Sequence, residues 1–141
     1  MEIWSEKRVE VRYQETDQMG IVYYANYLVW FELGRTDKMK KMEFPYLDIE
    51  RELGIMLPVK RAEVNYHQSA RYGDDVLIRT AVSRVKGPRI DFVYQVLRAA
   101  DGICLATGLT EHAWVDRKHR PVRMERRFPE LYQTLLAHLL P

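Results

Sequence analysis

The chain has 141 residues, 47% of them hydrophobic and 30% charged, with a net charge of +2. That length and mix fit one globular domain with its own core, and they exclude an intrinsically disordered chain and disfavour nucleic acid as the main partner. One cysteine, Cys104, excludes an intrachain disulfide, and His67, His112, His119 and His138 lack metal-ligand spacing.

Residues 8–13 alternate, with Arg8, Glu10 and Arg12 on one side and Val9, Val11 and Tyr13 on the other. This pattern predicts a half-buried strand, and the polar residues 14–20 after it read as a loop. From Ile21 to Leu33 the chain is apolar almost all round, and it continues to Met42 with Lys38, Lys40 and Lys41 near the end. We read one long helix, whose final cations suit its dipole and whose apolar turns must be covered on most sides. Phe44-Pro45 breaks it, and residues 46–53 form a short second helix ending at Gly54.

The character then changes. Residues 55–69 and 75–86 carry β-branched and alternating apolar positions, separated by a turn at Tyr72-Gly73-Asp74-Asp75. Gly87-Pro88 breaks the next connection, and Ile90, Phe92, Tyr94 and Val96 alternate with their neighbours. Asp101-Gly102 is a strong hairpin signal between that run and residues 103–115. Helical spacing returns from Pro129 to Leu140. Tight turns imply antiparallel neighbours, so the expected fold class is α+β: a five-stranded antiparallel sheet wrapped around one long central helix, with a C-terminal helix. The opening residues lack a basic and apolar leader, and no run approaches the ~18 apolar residues of a membrane span. A single cytoplasmic domain over residues 1–141 is expected.

The segment from Tyr13 to Tyr27, with Thr16-Asp17, Gly20, Val22-Tyr23-Tyr24 and Asn26-Tyr27 at its centre, resembles the signature of the 4-hydroxybenzoyl-CoA thioesterase family. Within it, the chain looks most like the Tol–Pal-associated acyl-CoA thioesterases. Phe31-Glu32 and Arg35-Thr36 extend the likeness along the helix. The resemblance implies a hotdog fold, an acyl-CoA substrate, thioester hydrolysis without metal or other cofactor, and a homodimer or homotetramer.

Thioester hydrolysis needs an attacking oxygen and a stabilised oxyanion. By the resemblance, Asp17 is the catalytic carboxylate, acting as nucleophile or general base, and the backbone N–H of Tyr24 is the oxyanion donor. A helix start offers unpaired N–H groups and a positive dipole end for that purpose. Gly20 would let the chain turn beneath the substrate. Val22, Tyr23, Asn26 and Tyr27 are family positions near the pocket. Many relatives carry His where this chain has Tyr24, but Tyr also occurs there in the hydroxybenzoyl branch, so aromatic acyl groups stay open.

Lys86 and Arg89, flanking the Gly87-Pro88 turn, and the basic stretch from Arg117 to Arg127 are candidates for the CoA phosphates. Glu15 is expected to be a solvated loop carboxylate. Glu32, on the buried helix with Arg35 as its i+3 partner, is the second catalytic candidate. Cys104 is expected to be buried in a strand, and His67 and His112 to be structural. Two alternatives keep the fold but change the activity: an acyl-CoA-binding module, and a dehydratase acting on hydroxyacyl thioesters.

Overall fold

The computed structural model describes residues 2–141. Strand β1 (Ser5–Glu10) is followed by a 3-10 turn (Tyr13–Glu15) and then by helix α1 (Asn26–Lys41). A short helix α2 (Tyr46–Asp48) runs into one π-helical turn (Ile49–Leu53), closed by Gly54 in the left-handed region at φ 67°. Strands β2 (Val59–Tyr66), β3 (Asp75–Lys86), β4 (Arg89–Arg98) and β5 (Cys104–Ala113) follow, with α3 (Met124–Arg127) and α4 (Pro129–Ala137) at the end. The strands form one sheet in the order β1-β3-β4-β5-β2, with antiparallel pairing throughout. The architecture is the expected α+β arrangement, a hotdog fold with α1 lying against the sheet. Among the described residues, no helix is long and apolar enough to cross a membrane.

Of the boundaries that differ from the sequence reading, two bear on the site. The first strand ends at Glu10, because Val11 pairs with the 73–74 turn instead and Tyr13 leaves the ladder for the 3-10 turn, where it is exposed. Helix α1 begins at Asn26, five residues beyond Ile21. Ile21 and Val22 are extended, bridged to Arg71 and Thr16, and the Val22 N–H donates to the Ala70 carbonyl at 2.9 Å. These β-branched residues take long-range partners that a local apolar run does not reveal.

Tyr27, Trp30, Phe31, Gly34 and Met39 form the face of α1 turned to the sheet. Phe31 stacks on Tyr94 with centroids 4.2 Å apart and planes within 7°. Glycines make this approach possible. A Cβ at Gly34 would meet Ile78 Cγ2 at 2.7 Å, and the Phe31 ring fills the space where a Gly108 side chain would stand. The opposite face is not covered. Leu28, Val29, Glu32 and Leu33 are exposed, as are Val59 and Tyr66 on β2, an edge strand paired only with β5. The expectation of an all-round apolar helix covered on most sides therefore holds for one face within this chain.

Among the buried polar groups, two arrangements lie deep in the core. Lys38, 1% exposed, donates to the carbonyls of Glu2 at 2.9 Å and Ile3 at 2.8 Å, and its Nζ lies 3.5 Å from His138 Nδ1. Burial lowers the Lys38 pKa.

The second group is a chain of hydrogen bonds. Arg35 Nη1 donates to Tyr94 OH at 3.2 Å, Tyr94 OH lies 2.6 Å from Thr110 Oγ1, and Thr110 Oγ1 lies 2.7 Å from His112 Nε2. Arginine can only donate, so the order that uses every hydroxyl hydrogen runs from Arg35 to His112 and leaves His112 neutral. Burial pushes His112 down to about 4, helped by the Arg35 charge and opposed by the Leu57 and Pro58 carbonyls.

An unfolded chain takes up this proton near the ordinary histidine value of ~6.5, whereas the folded chain resists it. Stability is therefore expected to fall as pH drops from ~6.5 to about 4, by roughly 3 kcal/mol in all. Thermal unfolding across this range should show a flatter pH dependence in His112→Gln than in the native protein. Parallel curves would assign the pH dependence to other groups.

Candidate active site

The loop between β1 and α1 folds back on itself. Thr16 bridges Val22, the Asp17 N–H donates to the Ile21 carbonyl at 2.8 Å, and the Gly20 N–H donates to the Asp17 carbonyl at 3.0 Å. Gly20 sits at φ 80°, a conformation that glycine adopts without strain. Asp17 is half-buried at this turn. Its Oδ1 accepts the Met19 N–H at 2.8 Å, and among the described residues its Oδ2 has no hydrogen-bond partner. The turn bond that Asp residues commonly make is thus present, and it leaves one carboxylate oxygen available.

The backbone then rises into α1. The Tyr23 N–H donates to the Glu15 carbonyl at 2.9 Å, and the Asn26 N–H donates to the Tyr23 carbonyl at 2.9 Å. Between them, among the described residues, the N–H groups of Tyr24 and Ala25 have no acceptor. These are orphan donors of a helix start, where the dipole favours negative charge. The Tyr24 carbonyl accepts the Tyr66 hydroxyl at 2.9 Å, which ties this peptide to the end of β2.

The expected pocket residues divide by environment. Tyr23 and Tyr24 are exposed and lie ring against ring, 4.7 Å between centroids. The neighbouring Tyr24 hydroxyl raises the Tyr23 pKa, and the Asp17 charge adds to the rise. Val22 and Tyr27 are buried. The Tyr27 hydroxyl accepts the Ala70 N–H at 3.3 Å, and its ring meets Trp30 and Tyr66 edge-on. Burial raises Tyr27 and, less enclosed, Tyr66. All three raised phenols therefore stay protonated at neutral pH. Asn26 gives its side-chain N–H to the Glu15 carbonyl at 2.8 Å.

Two carboxylates stand differently from the sequence expectation. Glu15 is 5% exposed, not solvated: its Oε1 accepts the Arg12 N–H at 2.8 Å and its Oε2 accepts the Trp30 indole N–H at 2.9 Å. Its donors come from both ends of the loop, which no local pattern announces. Glu32 is exposed, on the face of α1 that this chain leaves uncovered, while Arg35 turns inward to Tyr94. Cys104 is half-buried at the start of β5.

Lys86 and Arg89 are not brought to Asp17 within one chain. The Asp17 loop meets residues 70–74, before β3, whereas Lys86 ends that twelve-residue strand. The separation is on the order of 35–40 Å. Arg89 also pairs with Asp91 and Glu111, both at 2.9 Å. A cavity of about 550 Å³, walled by Met39, Phe44, Tyr46 and Leu57, opens along the second half of α1, away from Asp17 in the same chain. Among the described residues, no three His, Cys, Asp or Glu side chains gather as metal ligands.

The profile of the Thioesterase-like superfamily matches residues 11–138, which includes the whole Asp17 loop. The chain belongs to that superfamily. Among its relatives, YneP of Bacillus subtilis is 36% identical over 127 residues, covering 89% of this chain and 91% of YneP. The acyl-CoA thioesterase YbgC of Haemophilus influenzae is 32% identical over 132 residues, covering 93% of each protein. The solved DHNA-CoA thioesterase of Staphylococcus aureus superposes with a TM-score of 0.89 at 34% identity, covering 95% of this chain and 89% of that one. Membership of the thioesterase-like superfamily agrees with the resemblance carried by residues 13–27.

The tyrosine beneath this loop supplies a stability test. Tyr27→Phe keeps the packing but leaves the buried Ala70 N–H without an acceptor, which should cost about 1–3 kcal/mol. Chemical denaturation should show a lower midpoint with an unchanged slope.

Proposed function

We propose that this protein hydrolyses acyl-CoA thioesters to a free acid and CoA, with Asp17 as the catalytic carboxylate. The observation that carries the reading is the pairing of an available Asp17 oxygen with the unpaired Tyr24 N–H, on the loop that the superfamily profile covers. The thioester carbonyl oxygen lies at the Tyr24 N–H. Asp17 either attacks the carbonyl carbon, expelling the CoA thiolate and leaving an anhydride that water opens, or takes a proton from an attacking water. The N–H donor and the helix dipole stabilise the oxyanion in both routes.

Gly20 and the residues around it, Val22, Tyr23, Asn26 and Tyr27, shape the acyl site. The DHNA-CoA relative supports including aromatic acyl groups in the range. A second copy of the chain covers Leu28, Val29 and Leu33 and pairs along β2, giving a homodimer or a homotetramer. In that assembly Lys86 and Arg89 of a neighbouring copy, rather than of the same chain, reach the CoA phosphates.

Thiol release from short, long and aromatic acyl-CoAs should be measured for the native protein and for Asp17→Asn, which keeps the shape but removes the nucleophile or base. Turnover is expected to fall on the order of 10²-fold or more in the variant. A variant that keeps most of its activity makes Asp17 a turn residue. Saturable acyl-CoA binding with no thiol release by the native protein would instead favour a binding module.

The assembly has its own test. Sedimentation of the native protein should give a dimer or tetramer, and Leu33→Glu, placing a charge on the exposed apolar face, should shift it towards monomer. A monomeric native protein sinks this part of the reading.

A further inference from the structure

We infer that Glu15 is the positioning residue of this site, setting where Asp17 and the Tyr24 N–H stand relative to each other. This rests on the assignment of Asp17 and Tyr24 above. Glu15 binds the loop through both its side chain and its backbone. The buried carboxylate accepts the Arg12 N–H, where the loop leaves β1, and the Trp30 indole N–H, inside α1. The carbonyl of the same residue accepts the Tyr23 N–H and the Asn26 side-chain N–H, on the two sides of Tyr24. Asp17 lies two residues further on, held to Ile21 across the turn.

A carboxylate suits this place because it only accepts, and both groups facing it only donate. Arg12 Nε also approaches to 3.4 Å, but that side chain is 63% exposed and the contact is not what fixes the geometry. Glu15 cannot itself attack a substrate, since both of its oxygens are occupied and it is 5% exposed. It acts through the loop.

Glu15→Gln keeps the volume but turns an amide N–H towards one of the two donors, so one anchor is lost while the core stays filled. The expected result is a kcat lower by on the order of 10²-fold, as small misplacements of reacting groups cause, with KM changed by less than about threefold. Amide hydrogen exchange over residues 17–25 should quicken while the strands keep their protection. Trp30→Phe, which removes the other anchor's donor and leaves the carboxylate, should move both readouts in the same direction by less.

If Glu15→Gln does not fold, Trp30→Phe carries the test. Combining Glu15→Gln with Asp17→Asn should reduce kcat little further than Asp17→Asn alone, because one group acts through the other. A folded Glu15→Gln with lower thermal stability but native kcat and native exchange in the loop would overturn the proposal. Native turnover in Asp17→Asn overturns the catalytic assignment by itself. In that case, quickened loop exchange in Glu15→Gln still supports its hold on the loop, and native exchange removes it.

Discussion

How closely α1 approaches the sheet governs the rest of the molecule. Gly34 and Gly108 leave room for it, and the parallel stack of Phe31 on Tyr94 holds it there. At that distance Trp30 is wholly buried, and its indole N–H must find an acceptor inside the protein. Glu15 is that acceptor. A packing requirement in the second turn of the helix thus constrains the course of the loop before it. Once Glu15 is fixed, its carbonyl takes the Tyr23 N–H and the Asn26 side chain, and the peptide of Tyr24 is left with an unshared donor.

The same loop carries two carboxylates in contrasting surroundings. Glu15 is enclosed and doubly bonded, so its charge is balanced by directed dipoles from the chain. Asp17 is half-open, with one oxygen bonded to Met19 and the other available. Two residues apart, one carboxylate has both oxygens engaged and the other keeps one oxygen without a partner among the described residues. The three tyrosines near them with raised pKa values remain protonated at neutral pH.

Much of the fold could be read in the residues. The alternation through Ile90, Phe92, Tyr94 and Val96, and the turns at Gly87-Pro88 and Asp101-Gly102, locate β3, β4 and β5 because hairpin pairing is local. The end of α1 before Pro45 and the α4 helix were equally plain. What escaped depended on distant partners. Ile21 and Val22 look helical until Arg71 and Ala70 supply their pairing, so the start of α1 was displaced. Glu15 looks solvated until Trp30 comes into contact with it. Glu32 looks buried because the helix around it is apolar, yet it is exposed, on the wall of the cavity along the second half of α1. In the candidate site, Asp17, Gly20 and Tyr24 were legible as a pattern. The Tyr66 hydroxyl on the Tyr24 carbonyl was not, since nothing near Tyr66 announces a tie to a residue 42 positions away.

The buried ammonium of Lys38 binds the carbonyls of Glu2 and Ile3 and lies beside His138, a residue 100 positions along the chain. Bringing residues 2, 3, 38 and 138 together closes chain loops of long sequence separation, whose entropy opposes the contact. The burial of this one cation therefore couples the lead-in to β1 with the segment after α4, and Lys38 is withdrawn from water only when both are in place.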